Sequence, residues 1–343
     1  MQQEVLMLRF VFLFSLFISF ASKAHAVDCT AEPTVADQIQ CLQDGQDALE
    51  AENAALQARL DDLEAWYDEL NDVMYVDVNN DVIFEGTNVY VQKGWGDTWG
   101  DGNGLGNLII GYNELGSSSP IRTGSHNLII GPYHSYTSYG SIVQGRQNES
   151  HGAYSFLLGG SQNVVEFYAT NSGILAGLNN TITGYGDFSA IVSGGDNILT
   201  AERTVAIGGF YNEVTGPAGV AINGYRSFVT GHRATTVGGR DLEASGTNSL
   251  ALGGDDNVAS GVYSATLGGM RNQASGGTSV VSGGYDNRAI GSWSTVNGGN
   301  ENDASGTSST VLGGFHNDAL HRGSVVLGNQ YIFTTADYSI KPW

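Results

Sequence analysis

TSVVSGGYDNRAIG (278–291), WSTVNGGNENDASG (293–306) and SSTVLGGFHNDAL (308–320) are three successive copies of one pattern. Aligned on the second glycine of each pair, the pattern gives Gly145, Gly160, Gly177, Gly195, Gly209, Gly224, Gly239, Gly254, Gly269, Gly284, Gly299 and Gly314, with Asn329 in the thirteenth place. The intervals are 15, 17, 18 and 14, then eight of 15. Such periodicity marks a solenoid, in which one turn is too small to bury its own apolar face and stacked neighbours create a continuous core.

Each turn carries two short alternating runs. In one, a small residue precedes an apolar one by two positions, as in Ser279 and Val281, Ser294 and Val296, Ser309 and Val311, or Ser324 and Val326. In the other, Asn precedes Ala, as in Asn257 and Ala259, Asn272 and Ala274, Asn287 and Ala289, Asn302 and Ala304, or Asn317 and Ala319. A period of two puts both members on one side of a strand, so these pairs are expected to face inward around a flat, narrow core. Asn257, Asn272, Asn287, Asn302 and Asn317 then stack as a ladder of side-chain amides. The Gly pair and the later Gly261, Gly276, Gly291 and Gly306 are assigned to corners where positive φ is needed. The predicted fold class is mainly β: a parallel β-roll or solenoid of 15-residue repeats.

Composition narrows the function. The 343 residues include 49 Gly and only 5 Pro, without the glycine period of collagen. Hydrophobic residues make up 41%, too many for a disordered chain. Lys and Arg number 14 against 35 Asp and Glu, a formal charge of -21, which argues against nucleic acid as a partner because phosphate binding needs clustered cations.

Arg9, the apolar run FVFLFSLFISF (10–20) and Ala24-His25-Ala26 read as a signal peptide over 1–26, so the chain is expected to be secreted or displayed at the cell surface. No other stretch approaches the length of a membrane helix, and no transmembrane segment is expected after signal removal. Met7 is an alternative start. Asp28 before Cys29 is unlike a lipoprotein signal. The 27–44 segment holds the two cysteines, Cys29 and Cys41, assigned to a structural disulfide that either closes a small loop or links neighbouring subunits.

From Gln38 to about Met74, Leu42, Leu49, Leu56, Leu63 and Leu70 recur every seven residues, with Ile39, Gln46, Asn53, Leu60 and Tyr67 at the intervening seam positions. That period winds a left-handed coiled coil, drawn over 45–74, whose seam is Ile39, Leu42, Leu49, Asn53, Leu56, Leu60, Leu63 and Leu70. Self-association follows, while the number of strands does not follow from the seam. Residues 75–140 form a β-rich Gly and aromatic neck or cap that opens on a hairpin, VIFEG (82–86) and NVYVQ (88–92). GWGDTWGDGNGLGNLIIGYNE (94–114) is rich in Asp and Gly but lacks the spacing of known calcium loops, so no metal or other cofactor is assigned. The roll is placed at 141–330 and a C-terminal cap at 331–343.

TVAIGGFYNEVTGPAGVAINGYRSFVTG (204–231) and GSVVLGNQ (323–330) resemble the head repeats of YadA-like (Hep/Hag-type) trimeric autotransporter adhesins, over roughly 105–335. The resemblance implies a left-handed roll, three chains packed about an axis, and Val, Ala and Thr on the outer strand face covered by neighbours. Two features depart from it: the period is 15 where the family's is typically 14, and the coiled coil comes first with no membrane barrel after the roll. Self-anchoring in an outer membrane is therefore not expected.

The resulting expectation is an exported, non-catalytic homotrimeric fibre that presents a repetitive head for adhesion to a glycan or to an extracellular matrix or protein ligand. Tyr133, His134, Tyr136 and Tyr139 are candidates for surface recognition, and so are the corner aromatics Phe210, Tyr225, Tyr285 and Phe315; shielding of the roll's edges is the alternative. A polysaccharide-degrading solenoid would need recurring carboxylate pairs, and Asp255, Asp256, Asp286, Glu301 and Asp303 change identity from turn to turn. A monomeric ligand-binding or ice-binding solenoid would need a regular Thr rank, which Thr235, Thr266, Thr278, Thr295 and Thr310 do not form.

Overall fold

The computed structural model describes residues 29–31, 34–100, 102–115 and 119–342. The expected signal peptide lies outside the described residues. The chain divides into two compact units between Tyr90 and Val91.

The first unit holds one long helix, α1 (Val35–Val73). Thr34 caps it, its hydroxyl accepting the backbone N–H of Asp37 at 3.2 Å. Within α1, Gln40 donates to Asp44, Gln46 to Glu50 and Gln57 to Asp61 at 2.7 to 2.8 Å, pairs four residues apart that support the helix locally. No residue of α1 is buried within the chain. Its chain then turns back in a hairpin of β1 (Met74–Val76) and β2 (Val82–Phe84), with Tyr75 opposite Ile83. The Asp77 carboxylate organises the turn by accepting the backbone N–H groups of Asn79 and Asp81 at 2.8 and 2.9 Å, and Asn80 takes φ 64°. These bonds hold Asp77 below the usual carboxylate range. The expected pairing of 82–86 with 88–92 is therefore corrected: Val82–Phe84 pairs backwards with Met74–Val76, because the DVNND turn supplies both the Asx bonds and the left-handed residue, and 88–92 forms no strand.

The second unit is a parallel β-solenoid. Among the described residues, a 16-stranded first sheet runs from β3 (Leu108–Ile110) to Ile340–Lys341, and a 13-stranded second sheet from Ser135–Tyr136 to Asp318–Ala319. Stacking thus begins well before residue 141: Leu108 pairs with Leu128 of β4 (Leu128–Ile130), and Leu128 with Ile142. It also continues beyond 330, where Val325 pairs with Ile340. From Val205 the register advances evenly, Val205 to Val220 to Thr235 to Leu250 in the first sheet and Val229 to Ala244 to Ala259 in the second.

The inward assignments hold. Val281, Val296, Val311 and Val326 meet Ala274, Ala289, Ala304 and Ala319 in a fully buried core, and the Ser and Asn partners are buried beside them. Towards the N-terminal end the core is wider, with Ile129, Leu157, Ile174, Ile182, Ile191 and Leu199 inside, so the narrow Ala and Val core belongs to the later turns. The aromatic and Gly segment ahead of β3 closes the open end. Lys93 lies buried there, its ammonium donating to Trp99 O at 2.6 Å and pairing with Asp97 at 2.8 Å, while Asn103 donates to Lys93 O at 2.9 Å.

One corner differs from expectation. Gly253 and Gly254 have φ 57° and 78°, as a tight turn requires. Gly261, Gly276, Gly291 and Gly306 do not have positive φ; a Cβ on Gly276 would fall on the carbonyl oxygen of Gly291 in the next turn, so glycine is needed there for close approach. The left-handed residue of that corner lies two positions later, at Tyr263 (φ 57°), Thr278 (φ 57°) and Trp293 (φ 57°).

Candidate functional site

The Asn ladder is a real hydrogen-bonded element and is longer than the five residues read from the sequence. Asn257 Oδ1 accepts the backbone N–H of Asn272 at 2.9 Å, and the same bond recurs from Asn272 to Asn287, Asn287 to Asn302 and Asn302 to Asn317 at 3.1 Å. Each Nδ2 donates to a glycine carbonyl of its own turn and to a backbone carbonyl of the next, as Asn302 does to Gly298 O and Gly314 O at 3.0 Å and Asn317 to Gly313 O and Asn329 O. The same geometry runs through Asn148, Asn163, Asn180, Asn197 and Asn212. Ser227 and Leu242 interrupt it. The missed signal was the Asn three residues after Gly145, Gly160, Gly177 and Gly209; Asn197 follows the same rule once Gly194 rather than Gly195 is placed in line with Gly177 and Gly209.

His134 stands at that same position after Gly131, and this reverses its expected role. It is buried, its Nδ1 accepting the backbone N–H of Asn148 at 3.1 Å, so it starts the ladder that Asn148 continues. Burial pushes its pKa below the usual histidine value. Tyr136 is likewise buried, its hydroxyl accepting from Asn113 Nδ2 at 3.1 Å. Tyr133 and Tyr139 are half-buried, Tyr133 under Arg146 and Tyr139 edge-on to Tyr154 at 5.3 Å. His134 and Tyr136 are thus structural and offer no recognition surface.

Cys29 and Cys41 are bonded to each other within the chain, tying the 3-10 turn Cys29–Ala31 to α1. The seam residues Ile39, Leu42, Leu49, Asn53, Leu56, Leu60 and Leu63 are exposed and Leu70 is half-exposed, leaving the heptad stripe uncovered by this chain.

The two outer faces of the solenoid contrast in chemistry. Outward positions of the first sheet carry an aliphatic strip through Leu158, Leu175, Ile207 and Leu267 (44% exposed), broken at Ser282 and Asn297 and resumed at Leu312 (45%) and Leu327. Isolated exposed aliphatics are ordinary, but a contiguous strip of this length signals a surface meant to be covered. The second sheet presents Glu149, Glu213, Glu243, Arg288, Asp303 and Asp318 outward, interspersed with Val164, Ile198, Phe228 and Val258. Beside them Thr183, Thr200, Thr215 and Thr230 stand in one file through the register of their strands, a Thr rank that the sequence reading did not find; it gives way to Ser245, Ser260 and Ser275.

Along the Gly-pair corner, opposite charges meet across neighbouring turns. Arg226 lies 3.1 Å from Asp241, and Arg240 Nε donates to Asp255 Oδ1 at 2.8 Å, around an open cleft of about 540 Å³. The Arg240 hydrogen bond lowers the pKa of Asp255, and Asp255 raises that of Arg240. These exposed pairs satisfy one another and tie adjacent turns. Phe315 and Tyr331 meet edge-on at 5.4 Å and Tyr211 and Tyr225 at 5.8 Å, so the corner aromatics contact across turns. Among the described residues no group of three His, Cys, Asp or Glu is placed to hold a metal ion.

Comparison with models of known protein families gives no match, and no curated protein matches the chain.

Proposed function

We propose that the chain is the protomer of an exported homotrimeric fibre, an adhesin-like surface protein without catalytic activity. In this reading α1 supplies a three-stranded coiled coil, and the 15-residue turns form a left-handed β-roll whose aliphatic strips pack together about the fibre axis. The observation that carries it is the outer face of the first sheet, aliphatic from Leu158 to Leu267 and again at Leu312 and Leu327, where the second sheet mixes charged residues with Ile198, Phe228 and Val258. Left in water that strip would be costly, at about 25 cal/mol per Å² of apolar surface. The uncovered heptad stripe of α1 supports the same reading independently. The number three and the handedness come from the resemblance of 204–231 and 323–330 to YadA-like head repeats. The second sheet, with its charged and Thr files, then faces outward to meet a surface, glycan or matrix ligand. Attachment of coated beads to glycan and matrix-protein arrays tests the role: retention above that of uncoated beads supports it, and retention equal to theirs on every surface contradicts it.

A further inference from the structure

Two consecutive turns break the regularity of one corner. Between the inward residue of a second-sheet strand and the next inward Ser, Thr or Gly, the chain ordinarily spends four residues, as between Val214 and Gly219 or Ala259 and Ser264. Between Val165 and Ser172, and again between Ile182 and Ser189, it spends six. The two insertions stack on each other because Val165 and Ile182 are register partners. Insertions on one face of a repeat array commonly build its binding surface.

These loops are fixed in place. Thr170 donates to Asp187 Oδ1 through its backbone N–H at 2.7 Å and its hydroxyl at 2.8 Å, and Gly184 N–H donates to Glu166 Oε2 at 3.3 Å. Tyr168 takes φ 67°, a left-handed conformation at a position where the regular turns of the roll have none. The result is an open cleft of about 580 Å³ bounded by Glu149, His151, Glu166, Phe167, Tyr168 and Tyr185. His151 forms its floor, stacked on Phe167 at 5.0 Å and held by Thr137 Oγ1 at 2.9 Å and Glu149 Oε2 at 3.3 Å. The tyrosines stand free, Tyr168 at 80% and Tyr185 at 84% exposure.

We infer that this cleft binds glycans built of amino sugars with free, charged amines. Exposed aromatic rings offer faces on which the C–H side of a pyranose stacks and over which a cation is attracted. No Lys or Arg lines the cleft, and of its two carboxylates Glu149 is engaged by His151 while Glu166 is left to meet an ammonium group that a neutral sugar lacks. The inference does not rest on self-association.

Isothermal titration of the full chain with a glucosamine tetramer, in mildly acidic low-salt buffer, tests it. Saturable binding is expected, weakened about tenfold or more by Tyr168→Ala/Tyr185→Ala and by Glu166→Gln, and about tenfold weaker for the N-acetylated tetramer and for a glucose tetramer. Thermal melts verify that the variants fold, and binding that survives in them unchanged overturns the site. Absence of binding, or equal binding of the acetylated and neutral tetramers, overturns the ligand class. A failure here leaves the trimer untouched, because the mass of the assembly is measured separately.

Discussion

The side-chain oxygen of Asn302 accepts the backbone N–H of Asn317, one turn further along the solenoid, at 3.1 Å. Asn302 also donates to Asn287 Oδ1, Gly298 O and Gly314 O, each at 3.0 Å, so a single buried amide joins three turns. Asn302→Ala strands a buried N–H and glycine carbonyls at once. A loss of about 2–4 kcal/mol in denaturant unfolding is expected, from about 1–3 kcal/mol per unsatisfied buried group. Hydrogen exchange at the Asn317 amide should accelerate more than exchange at the amide of Val220, far along the stack.

Glycines that look alike in the repeat should differ in cost. Gly253→Ala meets open space and pays only the left-handed penalty of about 1–2 kcal/mol. Gly276→Ala drives a methyl into the backbone of the next turn, where no side chain can yield. Its melting temperature should fall several times further than that of Gly253→Ala. Equal losses would mean that the corner is governed by φ rather than by close approach.

Much of this was legible in the sequence because a solenoid converts period directly into register. Ser279, Val281, Asn287 and Ala289 could be placed inward from alternation alone, and they are buried. Alternation says nothing of backbone clearance, which is why Gly276 was assigned a positive φ that belongs to Thr278. Alignment on paired glycines also hid the earlier turns, where Gly131 stands without a second glycine and His134 replaces Asn. His134 and Tyr136 read as surface aromatics until stacking on Asn148 and contact with Asn113 put them inside. The inserted corners appeared only as intervals of 17 and 18, and their common cleft depends on which turns stack.

Asp303 and Asp318 are register partners, so like charges sit on adjacent strands. Burial raises the pKa of Asp303; Arg288 opposes the shift and Asp318 adds to it. Folding then favours the protonated carboxyl, and stability falls as pH rises from the ordinary Asp value through the raised one. Asp303→Asn removes this penalty. Its melting temperature is expected to exceed that of the parent at neutral pH, with the gain shrinking towards about pH 3, where both states are protonated.

If the stripe on α1 is a seam, charge within it must break the assembly without unfolding the solenoid. Leu56→Asp/Leu63→Asp places two carboxylates per chain at positions that are already exposed in the isolated helix. Helix content by circular dichroism should fall and the assembly should dissociate at low protein concentration, while the β-signal persists. Unchanged helicity and mass would assign the stripe no role in association.

In the proposed function, copies of this chain cover both the aliphatic face of the first sheet and the exposed leucines of α1. Multi-angle light scattering across a dilution series of the purified chain tests this most directly. Three protomer masses, constant to low concentration, are expected; one protomer mass at every concentration would contradict the account.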